Sequence, residues 1–210
     1  MLARVRAVGS PPVAAFACWL RKDILMTRIF RLLLPLLWIV AADAADLSGP
    51  RFNETGALVV PSDYRDWVFL SSLLNMNYGA GTPAVGDDSF DNVFVDPVSW
   101  RTFKRTGSWP EGTLFAKEGR HGETKGSINQ SGQFQAGERT YLELHIRSTR
   151  FPTGWGFFEI DGDKPARVLP TSASCYACHQ QHAAVETTFV QFYPTAKPIA
   201  IKAGTFDAGR

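Results

Sequence analysis

The chain has 210 residues, 45% of them hydrophobic and 20% charged, with a formal net charge of +2. This composition excludes a charged disordered tail, and with no dense Lys/Arg block it points away from nucleic-acid partners. Three cysteines cannot build a disulfide scaffold, and the length suits one domain with added N-terminal sequence.

Residues 26–44 read as a secretory signal peptide. Arg28 and Arg31 form a positive start, Leu32 to Ala42 an apolar run, and Ala42-Asp43-Ala44 a small-residue cleavage site. The apolar run is shorter than the ~20 residues of a membrane span; an uncleaved N-terminal anchor is the alternative reading, and no stable span is expected after cleavage. Periplasmic localisation follows as the expectation. Residues 1–25, which include Cys18, read as an upstream extension or a start error. Setting aside residues 1–44 removes six basic and two acidic side chains. It leaves residues 45–210, 166 residues with a net charge of −2. A domain of that size buries a core without staples.

Within it, Ser62 is the expected cap of a helix starting at Asp63 and running past Trp67. Asp96-Pro97, a cap followed by proline, opens a second helix through about Thr106. A third is expected over about Ser172–Ala184. Asn92–Val95, Thr113–Arg120, Arg139–Arg147 and Gly154–Ile160 are short, hold β-branched or aromatic residues and are separated by turn-rich stretches, so they read as strands. Gly122–Phe134 reads as a long turn or hairpin. The expected fold class is α+β, mainly antiparallel sheet with a few short helices. The long 3.6-period helices of a four-helix bundle are not seen.

Cys175-Tyr176-Ala177-Cys178-His179 is a C-x-x-C-H sequence, the attachment motif of c-type haem. Two thiols add to the two porphyrin vinyl groups, and the following histidine ligates the iron from below. One helical turn serves both tasks. A thioredoxin-like reading would need a βαβ setting, and a zinc site a second ligand pair beyond His121, His145 and His182.

The sixth iron ligand separates electron carriers from ligand-binding haem proteins. Met76 is the one methionine left after cleavage, and it lies far upstream of the motif. His182 falls on the same helix as His179 and reads as a surface or supporting residue. His145 could ligate, but a lone strand histidine is more often structural. An electron carrier with Met76 or His145 as sixth ligand is therefore the third-ranked reading.

Four segments carry a family resemblance. They are Leu58-Val59-Val60-Pro61 with Tyr64-Arg65-Asp66-Trp67; Val93-Phe94-Val95-Asp96-Pro97 leading to Lys104-Arg105-Thr106-Gly107; Gly154-Trp155-Gly156-Phe157-Phe158; and Cys175–His179 running into Phe192-Tyr193-Pro194. In this order they resemble cytochrome P-460 and its relative cytochrome c-prime-beta. The resemblance implies a mainly antiparallel sheet, a homodimer, a single covalently attached haem c with an open distal iron, and a soluble redox partner. The P-460 branch oxidises hydroxylamine, has a lysine linked to the porphyrin, and uses a distal glutamate as proton relay. The c-prime-beta branch lacks the link and binds nitric oxide or carbon monoxide under phenylalanines.

Lys117, in Gly112–Glu118, is similar to the linking lysine, and Glu143, in Tyr141–Leu144, to the relay glutamate. Cys175, Cys178 and His179 match the haem residues, with His179 the iron ligand. Strand periodicity adds that Thr113, Phe115 and Lys117 share one face, and Tyr141, Glu143 and His145 another. Lysine is a nucleophile only as the free amine, which burial favours; an apolar pocket makes a glutamate a better proton carrier. Read from residues alone, Lys117 beside Glu118 also fits exposed edge charges, and Glu143 an outward polar position. Phe115 fits a cap over the iron, as in the c-prime-beta branch, or an ordinary core aromatic.

Overall fold

The computed structural model describes residues 49–76, 88–125 and 131–210. The expected signal peptide and upstream extension lie outside the described residues, as does the centre of Gly122–Phe134.

Five strands form one antiparallel sheet in sequence order: β1 Val68–Leu74, β2 Ser89–Val95, β3 Leu114–Glu123, β4 Phe134–Arg147 and β5 Trp155–Glu159. Among the described residues three short helices accompany it, α1 Pro97–Thr106, α2 Ser174–His182 and α3 Lys197–Ala203. The fold is α+β and mainly sheet, as the sequence predicts.

α1 follows from local chemistry. Asp96 Oδ1 accepts from the Ser99 N–H at 2.8 Å, Pro97 opens the first turn, and Gly107 closes the helix at φ 72°. Asp96 Oδ2 also accepts from the Leu114 N–H at 3.0 Å, tying the helix start to β3. Gly107 is needed for space as well, since a Cβ there would lie 2.3 Å from the Ala203 Cβ of α3.

Period-two alternation separates two cores. Leu114, Ala116, Leu142, Leu144, Ile146 and Phe158 pack on one face with Leu58, Tyr64 and Phe151. Val93, Val95 and Phe115 point to the other, against Phe103, Trp109, Val190 and Tyr193.

Two expectations need correction. The helix expected from Asp63 past Trp67 is a single 3-10 turn, Tyr64–Asp66, with no capping bond from Asp63. The chain then turns extended at Trp67 and enters β1, whose backbone is paired from Val68↔Val95 to Leu74↔Phe90. Pairing with β2 outweighs the local helix signal, because a strand edge left open would strand its N–H and C=O groups. β4 also starts earlier than expected, at Phe134, because Gly122 and Glu123 of β3 pair with Gln135 and Phe134. The end of the turn-rich stretch is thus a strand. α3, with Pro198 in its first turn and Gly204 at φ 72° after it, was not anticipated.

Candidate functional site

The register of the sheet builds the site. Across β2, β3 and β4 run two matched rows, Val93–Lys117–Glu143 and Val95–Phe115–His145, continued on β5 by Glu159 and Phe157. A third row is Asp91–Gly119–Tyr141. All three lie on one face. α2 lies over this face. Cys175, Cys178 and His179 are spaced i, i+3 and i+4, so a helix brings them to one side. Between helix and sheet is a cavity of about 620 Å³ whose walls include Cys175, Cys178, His179, Phe115, Lys117, Glu143, His145, Phe157 and Phe189. Its size falls inside the ~300–1,000 Å³ usual for ligand pockets.

His179 is held in one tautomer. Its Nδ1 lies 2.7 Å from the Thr187 carbonyl oxygen. A carbonyl can only accept, so Nδ1 carries the proton and Nε2 keeps its lone pair. Burial pulls its pKa down to about 4, against the upward pull of the Thr187 bond, so the ring is neutral at pH 7. Thr187 sits in a tight turn bridged from Val185 to Thr188, with Glu186 in the left-handed region at φ 53°. That strained turn is held from outside: Trp109 Nε1 donates to Thr188 Oγ1 at 2.9 Å, and Arg147 pairs with Glu186. Phe157 and Phe189 rings pack on His179 at 4.7 and 4.3 Å between centroids.

His145 is buried, stacked on Phe157 at 4.0 Å and in edge contact with His179 at 5.0 Å. Its Nε2 lies 3.4 Å from Thr187 Oγ1, on the side of His179 that carries Nδ1. It therefore stands beside His179 and supports the same turn. Met76 lines the cavity. His182 is exposed and is not among the lining residues.

Cys175 and Cys178 are free thiols, and burial pushes both pKa values up. Lys117 Nζ lies 3.2 Å from Glu143 Oε2 and 3.7 Å from Asp91 Oδ2. The Lys117 and Glu143 side chains are 37% and 45% exposed, so they stand at the cavity mouth within reach of water. Phe115 is buried and reaches the cavity, with its ring against Trp109 at 4.8 Å and Trp155 at 6.3 Å.

The sequence reading missed three contributors. Asp91 was legible as a third inward residue of β2 by alternation with Val93 and Val95. Glu159 stands opposite Glu143 in the same way. The Thr187 carbonyl is backbone and has no residue-type signal.

A family model for cytochrome P460 matches residues 61–190. The chain belongs to the cytochrome P460 family. No curated protein matches it. Membership in the cytochrome P460 family makes this a haem-binding protein, and the residues fit that group. Two unpaired thiols and one tautomer-fixed imidazole face one largely apolar cavity. Among the described residues no set of three or more His, Cys, Asp or Glu could hold a metal ion by itself.

Proposed function

We propose that this cytochrome P460 family protein is an exported, mono-haem c-type oxidoreductase that oxidises hydroxylamine. The supporting observation is the Lys117–Glu143 pair, 3.2 Å apart and facing the cavity that Cys175, Cys178 and His179 share. In this reading both thiols anchor the haem covalently and His179 Nε2 ligates its iron. Bound there, the haem supplies an iron that can hold the substrate nitrogen and take up its electrons.

The chain's own residues do the rest. Glu143 accepts protons from the substrate N–H or O–H and passes them to water at the cavity mouth. Lys117 would be the residue linked to the porphyrin edge, its amine replacing a ring hydrogen with two electrons and two protons passing to an external oxidant, and would fix the ring against β3. Phe115, Phe157 and Phe189 keep water from the buried side. Electrons leave to a soluble redox partner in the periplasm, and the protein works as a homodimer.

The test is the purified holoprotein. Its absorption spectrum, the mass of its haem peptide and electron release from hydroxylamine to a soluble acceptor are measured. A haem peptide carrying Lys117 and steady turnover are expected. An ordinary c-type Soret band with no link would overturn the Lys117 role, and absent turnover the enzyme reading.

Phe115 on the cavity wall favours a second reading, a nitric-oxide-binding protein without turnover. Tight ferrous nitrosyl formation with no hydroxylamine oxidation is the result it requires.

A further inference from the structure

The row Asp91–Gly119–Tyr141 crosses three strands, and its middle member has no side chain. A Cβ on Gly119 would lie 2.1 Å from Tyr141 Cε1 and 2.4 Å from Cδ1. The Tyr141 ring therefore occupies the space above the glycine, and its hydroxyl crosses β3 to donate to Asp91 Oδ1 on β2. Cross-strand side chains two strands apart do not ordinarily meet; here the missing Cβ of Gly119 lets them. Asp91 is 8% exposed, and its second oxygen, Oδ2, faces Lys117 Nζ at 3.7 Å. The same Nζ stands 5.0 Å above the Tyr141 ring centroid, within cation–π reach.

Lys117 thus meets three groups: Glu143 on one side, Asp91 on the other and the Tyr141 ring beneath. Glu143 is half exposed, whereas Asp91 is buried and tied by Tyr141. A flexible four-carbon lysine stem needs such an anchor to present its amine at one place.

We propose that Asp91, braced by Tyr141 over Gly119, is the positioning residue that holds the Lys117 amine in the cavity. Glu143 is thereby left to carry protons. The inference deepens the reading of Lys117 as the haem-linked residue and rests on it. Its consequence is that correct lysine placement depends on a carboxylate and a phenol that touch neither iron nor thiols.

The test uses purified holoprotein, wild type against Tyr141→Phe, Asp91→Asn and Asp91→Glu, with haem content measured to show folding. The first readout is the fraction of haem peptide whose mass includes the Lys117 segment. Tyr141→Phe keeps the ring over Gly119 and removes only the hydroxyl. It and Asp91→Asn are expected to lower the linked fraction about fivefold, the shift that losing one hydrogen bond produces, while Asp91→Glu keeps most of it. Wild-type linkage in both Tyr141→Phe and Asp91→Asn would overturn the proposal. If the wild type carries no link, the reading of Lys117 as haem-linked falls, and a second readout tests the clamp by itself. That readout is the rate of reductive methylation of Lys117. An acceleration of about threefold in Tyr141→Phe supports the clamp, and an unchanged rate overturns it.

Discussion

Lys117 and Glu118 are adjacent in the chain and lie on opposite faces of the sheet: Lys117 lines the cavity, and Glu118 is buried in the core behind it. Glu118 Oε2 accepts from the Tyr64 hydroxyl at 2.6 Å and from Arg65 Nε at 3.0 Å, and Oε1 from Arg120 Nε at 2.9 Å. The pair shows how a strand separates a structural charge from a chemical one within a single peptide step.

Burial alone would raise the Glu118 pKa; the bonds from Arg120, Tyr64 and Arg65 outweigh it and hold it at about 2. The stabilisation is fully present above the ordinary glutamate value of 4.5 and is lost as pH falls from there toward about 2. Glu118→Gln should cost about 3 kcal/mol by urea unfolding at pH 7, because it leaves Arg120 and Arg65 short of their partner. The cost should shrink as pH approaches 2. A variant as stable as wild type at pH 7 would contradict this account.

Glu143→Gln keeps the shape of the side chain and removes the proton acceptor. Hydroxylamine turnover should fall about 100-fold or more with haem content unchanged, the usual worth of a positioned acid–base group. Unchanged turnover would remove Glu143 from the relay.

Replacing both Cys175 and Cys178 by alanine should leave haem that acid-organic extraction removes completely, whereas the wild type should retain its haem on the polypeptide. His179 remains in the double variant, its Nδ1 bond to Thr187 intact, so iron ligation should survive until extraction. Complete extraction of wild-type haem would rule out the covalent attachment.

Asp96 satisfies two backbone donors at once, the Ser99 N–H of α1 and the Leu114 N–H of β3. Asp96→Ala should therefore cost about 2–3 kcal/mol, more than a simple cap. For a domain of this size that lowers Tm by about 4–12 °C. Asp96→Asn keeps one acceptor and should lose roughly half as much in the same thermal scan.

Apart from the helix expected from Asp63, local signals survived into the structure with little change. α1 spans Pro97–Thr106 as expected because its cap, its proline and its closing glycine are all within the helix or one residue from it. The C-x-x-C-H motif sits on α2 because its chemistry is contained in five consecutive residues. Strand alternation also placed Phe115 and Lys117 on one face, and Glu143 and His145 on one face, since a period of two needs no partner to be read.

What depended on pairing was not readable. Val68–Leu74 is a strand because β2 covers its backbone, a fact held by Ser89–Val95 and not by the segment itself. Asp91 meets Tyr141 only because the registers of two ladders bring both opposite Gly119, and the absence of one side chain opens the path between them. The bond that fixes His179 comes from a main-chain oxygen eight residues on, in a turn held by Trp109 from before β3. Sequence alone determined which residues can bond or carry protons, because that is covalent chemistry. Tertiary structure decided which of them meet, because strand register and main-chain geometry are settled by contacts between segments distant in the chain.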